Sequence, residues 1–426
     1  MVDTRYYPEH CSLSEALDIL LGAFSDKKLK TEKLPPRDAL GMILAGEVSS
    51  KRNVPHYTAS AVDGYTMTSA STAGASAATP VELAGASWVN TGMPVGGGDA
   101  VIMVEDTSGD SVSLKIYKSL TQGENVRALG EDVMNGQLLA CRGDVVTPAL
   151  VSLFLCAGVE AVTVYPRPRA IFIPTGNEIV TAEKWLSGDK IDAGFVVDSN
   201  SVYAAAMFES WGYSLEVGPV LPDDPEVIAD AVSRAAEEYD LVLVSAGSAK
   251  GRRDHSADVF TKLGRMLFRY VRMKPGRPVM AADIGGTPVI CSPGFPMSCA
   301  VALWSLVYPL LRILSGDKLR RERDYISEAI ASTGKMEAEL MTGHSSAAGV
   351  FDWLRVKCAG VGGRRLCWPL SAGASVLWAL AEADGIVTLP EQSLESPPGT
   401  KVTVRITRRF DIELFEVFHV NTPCYN

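Results

Sequence analysis

Between residues 169 and 316 fully apolar runs alternate with helix-like stretches, and that alternation constrains the chain more than any other feature. The runs at 170–174, 241–245 and 288–291 show no polar face, the pattern of strands covered on both sides. Residues 201–211, 225–238, 256–263 and 297–314 have the periodicity or length of helices, and 214–220 and 268–273 read as extended. Strands alternating with helices in this way give an α/β sandwich around a mostly parallel sheet. Pro166-Arg167-Pro168 makes a stiff break just before it, marking a domain boundary.

The rest of the 426 residues is too long for one further core, since ordinary domains hold roughly 100–200 residues. Near the start, Leu13, Ala16, Leu17, Leu20 and Leu21 follow helical spacing behind a Ser12/Glu15 capping box. Residues 51–124 turn to short β-like runs with Gly-, Ser- and Ala-rich turns, and 148–158 regains helical character. The expected division is a discontinuous helical/linker domain (1–50 and 125–168), a β-rich domain (51–124), the α/β domain (169–316) and a β-barrel-like domain (330–410). A charged helix around 318–333 precedes the last domain. A tail follows it at 411–426, where Phe410, Ile412, Leu414 and Val417 suggest an amphipathic strand.

A hydrophobic fraction of 47% with 21% charged residues is that of a globular protein, and no run is expected to approach the roughly 18 apolar residues of a membrane span. The start lacks an export signal, so cytoplasm is the expected location. A formal charge of -10 argues against nucleic-acid or membrane partners. Eight scattered cysteines, with no zinc-type spacing, read as buried thiols. His56 and His255 have no partner at metal or triad spacing.

Ligands of a parallel sheet bind beyond the carboxyl ends of its strands, so the following loops are the candidates for chemistry. They are Thr175-Gly176-Asn177-Glu178, then Ser245-Ala246-Gly247-Ser248-Ala249-Lys250-Gly251 running into Arg252-Arg253-Asp254, and Ser292-Pro293-Gly294-Phe295-Pro296-Met297-Ser298. Each sets Gly and hydroxyl residues before a helix, where free N–H groups hold an anion. Singly, such loops are more often plain capping; three in one domain suggest a phosphate-sized pocket. Glu178 and Asp254 are the acids able to hold a divalent cation against phosphate oxygens, though either alone serves equally well as a helix cap. Asp224 reads as the cap of helix 225–238, leaving Asp223 the freer acid. Lys274-Pro275-Gly276-Arg277-Pro278 offers two cations on a proline-stiffened backbone. Asp63 in Ser60-Ala61-Val62-Asp63-Gly64-Tyr65, and Asp132 after Gly130-Glu131, read by themselves as turn residues.

Taken in order, these segments resemble the molybdopterin molybdenumtransferase family, the bacterial MoeA proteins and the E domain of gephyrin. The landmarks span nearly the whole chain: Ser60–Tyr65, the run NTGMPVGGGDAVIMVEDT at 90–107, GENVRALGED at 123–132, Thr175–Ile179, Asp198-Ser199-Asn200, the 245–254 loop, MKPGRP at 273–278, 292–298 and 373–390. The resemblance implies an elongated four-domain protomer with a MogA-like α/β domain, and a homodimer whose cleft is completed by the partner's β-rich domain. It implies a reaction in which molybdate or tungstate joins the dithiolene of adenylylated molybdopterin, the phosphoanhydride is hydrolysed with Mg2+, and AMP leaves. Molybdopterin adenylyltransferase and apo-molybdoenzymes or their chaperones are the implied partners.

By motif position, Asp63, Asp132, Glu178, Asp223 and Asp254 match the family's functional acids, with Glu178 and Asp254 as metal ligands. Thr175, Gly176, Asp198, Ser199, Asn200, Ser245, Gly247, Ser248, Gly251, Pro293, Gly294, Pro296 and Ser298 fall on the substrate loops. Lys274, Pro275, Gly276, Arg277, Ser298, Arg355 and Ser375 match the oxyanion side. Departures cluster on the phosphate side: Asn177 for an acid, Ala246 for Gly, Ser248-Ala249-Lys250 for V-S-V, and Phe295 for Asn. They keep a second reading open, a molybdopterin-binding carrier or assembly scaffold with altered catalysis.

Overall fold

The structure, a computed structural model, describes residues 9–27, 29–188, 190–245, 255–317, 324–370 and 373–408. It divides into two compact units, Lys30–Tyr165 and the combination of Met1–Leu29 with Pro166–Asn426.

The larger unit holds a sheet of β1 (Glu9–Cys11), β2 (Ala170–Ile173), β3 (Leu215–Val217), β4 (Leu241–Ser245), β5 (Arg265–Val271), β6 (Met280–Ile284) and β7 (Thr287–Ser292). Their spatial order is β1-β5-β6-β7-β4-β2-β3. β3, β2, β4 and β7 are mutually parallel, whereas β6 runs antiparallel to both neighbours, so the sheet is mixed. Gly285 and Gly286, at φ 61° and 86°, make the two-residue turn from β6 to β7, whose twist suits a hairpin. Side chains alternate across the sheet. Phe172, Leu241, Leu243 and Ile290 meet α1 (Leu13–Phe24), α2 (Ser199–Ser210) and α5 (Pro296–Leu314) on one face; Val242, Val244, Val289 and Cys291 meet α3 (Pro225–Glu238) and α4 (His255–Leu263) on the other.

Helix α1 starts with the capping box its sequence announces: Glu15 N–H donates to Ser12 Oγ at 3.1 Å and Ser12 N–H to Glu15 Oε2 at 2.7 Å. Its apolar stripe of Leu13, Ala16, Leu20 and Phe24 buries in the α/β core, because β1 and β5 leave that sheet face to be covered. This places residues 9–27 with the α/β unit, a different division from the expected 1–50.

One expectation is overturned by α5. It is 19 residues long and an 18-residue window of it has a mean hydropathy of 1.7, long and apolar enough to cross a membrane, yet 94% of that window is buried in the molecule. A helix apolar all round needs cover on every side, and here the sheet covers one side and a C-terminal barrel another. Its middle, Leu303–Val307, is π-helical, and Trp304 there packs on Trp353 of the barrel with ring centroids 5.9 Å apart.

That barrel comprises β8 (Gly334–Leu340), β9 (Phe351–Val361), β10 (Arg364–Pro369), β11 (Gly385–Leu389) and β12 (Lys401–Ile406). Pairing runs β9-β10-β8-β12-β11 and back to β9, which closes the ring. The period of two sends Leu354, Val356 and Cys358 into the barrel core, and Trp353 outward into the α/β core with Phe351 packed beside it. Of the charged helix expected at 318–333, the described residues contain Tyr325–Ala329; the expected tail strand lies outside them.

In the smaller unit two separate cores form. Leu44, Val48, Phe154, Val162 and Val164 make one, and Tyr65, Met67, Ala100, Ile102, Leu114 and Ile116 the other. Strand Gly64–Met67 pairs with both Ser87–Val89 and Ala100–Met103, and it passes so close to the latter that a Cβ on Gly64 would lie 1.8 Å from the Ile102 carbonyl oxygen. Gly64→Ala should therefore destabilise this unit by about 2–4 kcal/mol. In limited proteolysis cleavage should rise within 30–165 and stay unchanged in the larger unit.

Candidate functional site

The carboxyl ends of β2 and β4 are stitched together by the residues expected there. Thr175 N–H donates to Ser245 Oγ at 2.8 Å, and Thr175 Oγ1 donates to the Ser245 carbonyl at 2.6 Å. Both hydroxyl groups are buried, so these bonds satisfy groups that would otherwise be costly to desolvate. Beyond them Gly176 adopts φ 145°, which a side chain rarely accepts, and its N–H donates to the Leu221 carbonyl at 3.0 Å. A Cβ at Gly176 would meet Glu178 Oε2 at 3.1 Å, so the Glu178 carboxylate folds back over this turn.

Two further acids are drawn to the same turn. Asn177 N–H donates to Asp223 Oδ2 at 3.4 Å, and Asp223 N–H donates to Asn177 Oδ1 at 3.3 Å. The amide at position 177 thus sits against Asp223 without the repulsion a second carboxylate would bring. Asp224 caps α3, accepting from Glu226 and Val227 N–H, which leaves Asp223 as the freer acid of the pair. Residues 179–180 pair with 196–197, bringing Asp198 beside the turn as the cap of α2, where it accepts from Ser201 N–H at 3.1 Å. Ser199 opens that helix half-buried.

From α2 the network crosses to the third loop: Asn200 Nδ2 donates to the Gly294 carbonyl at 2.8 Å. Pro293 is buried, Pro296 starts α5, and Ser298 is buried in its first turn. Met297 N–H, which the helix cannot satisfy, donates to the Ala374 carbonyl at 3.0 Å. Gly373 in turn accepts from Arg355 Nη1 at 3.5 Å. Arg355 and Ser375, carried over on family position alone, therefore stand on the same loop system as Ser298. Arg355 is on the outward face of β9 with Trp353, which explains its burial, 7% exposed. That burial pushes its pKa down, and the charge of Asp352 opposes the shift without cancelling it. Cys299, fully buried beside Ser298, has its thiol pushed up to about 12 by burial.

Met273-Lys274 adds beside β9, Lys274 in register with Asp352. Gly276, at φ 111°, lies so that a Cβ would approach Met273 Cε at 2.8 Å and Val301 Cγ1 of α5 at 3.4 Å, which seats the loop from Lys274 through Pro275 to Arg277 on the helix that Ser298 begins. Lys274 and Arg277 are both exposed. Asp352 was not anticipated as a structural centre: it is buried and accepts from His344 Nε2 at 2.8 Å and Ser346 Oγ at 3.1 Å. Its position among apolar strand residues was the available signal.

Gly247, Ser248, Gly251 and Asp254, together with Ala246, Ala249 and Lys250, lie outside the described residues. Among the described residues no group of three or more metal-ligating side chains occurs. In the smaller unit Asp63 accepts from Thr91 N–H at 2.6 Å and Thr91 Oγ1 at 3.0 Å, bonds that hold its carboxyl below the usual carboxylate range. The turn of Ser60–Tyr65 and the run beginning at Asn90 are joined there, Gly92 N–H donating to the Ser60 carbonyl at 2.8 Å. Asp132 is exposed, its backbone N–H bonded to the Val54 carbonyl at 2.9 Å.

Comparison with known proteins accounts for this arrangement. Residues 11–158 match the MoeA N-terminal region (domain I and II), 172–313 a probable molybdopterin binding domain, and 337–406 the MoeA C-terminal region (domain IV). Molybdopterin molybdenumtransferase 2 of Mycobacterium tuberculosis is 29% identical over 398 residues, covering 87% of this chain and 94% of its own. The molybdopterin molybdenumtransferase of Haemophilus influenzae is 28% identical over 324 residues, 72% of this chain and 79% of its own. The crystal structure of a MoeA molybdopterin biosynthesis protein from Pyrococcus horikoshii superposes with a TM-score of 0.73 at 28% identity, covering 94% of this chain and all of that one. With all three regions matched in order along the chain, the protein belongs to the MoeA family.

Proposed function

We propose that the chain is a molybdopterin molybdenumtransferase, joining molybdate or tungstate to the dithiolene of adenylylated molybdopterin while the phosphoanhydride is hydrolysed and AMP leaves. The observation that carries this reading is the path along the strand-end loops, where separate bonds join Thr175 to Ser245, Asn200 to Gly294, Met297 to Ala374 and Arg355 to Gly373. It sets loops suited to phosphates beside a buried guanidinium and an exposed Lys274. A cation that loses more by burial than a neighbouring carboxylate returns gains from an anion brought against it. Tetrahedral oxyanions are such anions, and Arg355, Lys274, Arg277, Ser298 and Ser375 are the groups that would hold one.

The acids at the other end of this path suit Mg2+. Glu178 and Asp223 both lie at this turn, where the Asn177 amide oxygen accepts from the Asp223 N–H, and among the described residues the side-chain donors there are hard oxygens. Together with Asp254 they would hold the ion, whose chemistry is to neutralise charge on the bridging phosphates. Glu178 and Asp254 then fix the site, while the Thr175 and Ser245 loops orient the phosphates for loss of AMP. In this reading the enzyme works in the cytoplasm as a homodimer, Asp63 and Asp132 of the β-rich unit completing the cleft of the partner. A molybdopterin adenylyltransferase supplies its substrate, and apo-molybdoenzymes or their chaperones take its product.

Phe295 favours a second reading, a molybdopterin-binding carrier without turnover: it is half exposed at the mouth of the third loop where the family has an amide. The two readings separate on Glu178→Ala. The insertase loses about a hundredfold in molybdate-dependent AMP release with substrate still bound, whereas a carrier binds adenylylated molybdopterin tightly and releases no AMP before or after the change. Chelation of divalent cations should likewise stop AMP release, and added Mg2+ should restore it. Arg355→Lys keeps the charge but loses the planar fork, so the KM for molybdate should rise about tenfold while the KM for adenylylated molybdopterin stays within about twofold.

A further inference from the structure

Two of the few non-glycine residues at positive φ face one another at the edge of the α/β sheet: His10 at φ 62° and Tyr270 at φ 60°. They lie between the paired positions Glu9↔Arg269 and Cys11↔Val271 of β1 and β5. Side chains larger than Asn seldom adopt this conformation, and for a ring as bulky as Tyr270 it is a strained one. What the strain obtains is a stack. The imidazole and phenol rings lie 5.2 Å apart and 15° from parallel.

Arg277 ends on that stack. Its guanidinium carbon is 5.8 Å from the centroid of the Tyr270 ring, and Nη2 is 3.4 Å from His10 Nδ1. A guanidinium only donates, so in this pair His10 Nδ1 is the atom that accepts. The backbone repeats the connection: Val271 N–H donates to the Arg277 carbonyl at 3.0 Å, and Tyr270 N–H to the Val279 carbonyl at 3.0 Å. Just past the end of β5, Arg272 Nη1 donates to the His10 carbonyl, and Arg272 N–H donates to the Cys11 carbonyl at 2.8 Å, which fixes β1 against β5. Arg269, 4.9 Å from the Tyr270 centroid, holds the phenol from its own side and donates to its hydroxyl at 3.2 Å.

We infer that His10 and Tyr270 are positioning residues for the oxyanion, holding the Arg277 guanidinium at the end of the loop that also carries Lys274. The inference rests on the insertase reading for the identity of the anion. An exposed arginine otherwise samples many rotamers, and ordering it is an entropic cost that anion binding would have to meet. The aromatic face and the imidazole acceptor meet that cost in the folded chain, before the anion arrives. The first strand of the larger unit thus acts on a site whose other residues lie more than 260 positions away in sequence.

The full-length chain tests this by calorimetric titration with sodium molybdate and by separate KM values for molybdate and adenylylated molybdopterin. His10→Gly removes the ring and accepts φ 62° without steric penalty, so the fold is kept. It should weaken molybdate binding about tenfold and raise the KM for molybdate alone. His10→Asn, which supplies an oxygen acceptor and tolerates the left-handed conformation, should restore binding to within about twofold of the parent. In an Arg277→Ala background His10→Gly should have no further effect. Unchanged molybdate binding in His10→Gly, an equal loss for both substrates, or a full additional loss in the Arg277→Ala background would each overturn the inference, as would a parent chain that binds no molybdate. A parent chain that follows the predicted binding pattern yet releases no AMP supports the positioning role and overturns the insertase reading.

Discussion

Helix α5 is buried along nearly its whole length, and the larger unit is organised by what that burial requires. An apolar helix with no polar face must be enclosed, so the mixed sheet covers it from one side, α1 and α2 flank it, and β9 closes over it with Trp353. The enclosure has a chemical consequence at one end. Because α5 starts at Pro296 with its first turn already buried, its free N–H groups need partners from other parts of the chain, and Met297 finds one in the Ala374 carbonyl. The loop that carries Ser375, the strand that carries Arg355 and the loop that carries Lys274 are thereby registered on the same helix as Ser298. The packing that encloses α5 thus also places these residues.

The side proposed for the phosphates follows a different logic. There the parallel strands β2 and β4 end side by side, and Thr175 and Ser245 tie them with two buried hydroxyl bonds. The turn beyond them carries Glu178 and meets Asp223, to which Asn177 is bonded. Replacing the family's acid by an amide at this place lowers the charge without losing the reciprocal bonds to Asp223, so the substitution is compatible with a retained fold of the loop.

Much of this was legible in the sequence where the signal was local. The Ser12/Glu15 box, the Asp224 cap and helix 225–238, and the apolar run 241–245 all form as read, since each depends on residues within one element. Strand β6 is absent from the sequence reading although Gly285-Gly286 is a strong hairpin signal, and it is the one antiparallel strand in a sheet that is otherwise parallel, as expected. The apolar length of α5 was underestimated because Ser298, Ser305 and Arg312 interrupt the run in sequence, while in space they are buried with it. Arg355 rests on motif position alone in the sequence, and the period of two in β9 sets it with Trp353 on the face that meets the α/β core. The role of His10 could not be read at all, for it depends on a ring and a guanidinium brought from β5 and the loop after it.

Anomalous diffraction from crystals of the full chain soaked in tungstate would test the central claim, that the residues registered on α5 form one oxyanion site. The account predicts a single strong peak within hydrogen-bonding reach of Arg355, Ser298, Ser375, Lys274 and Arg277. A peak elsewhere, with those five side chains unoccupied at the same tungstate concentration, would contradict it.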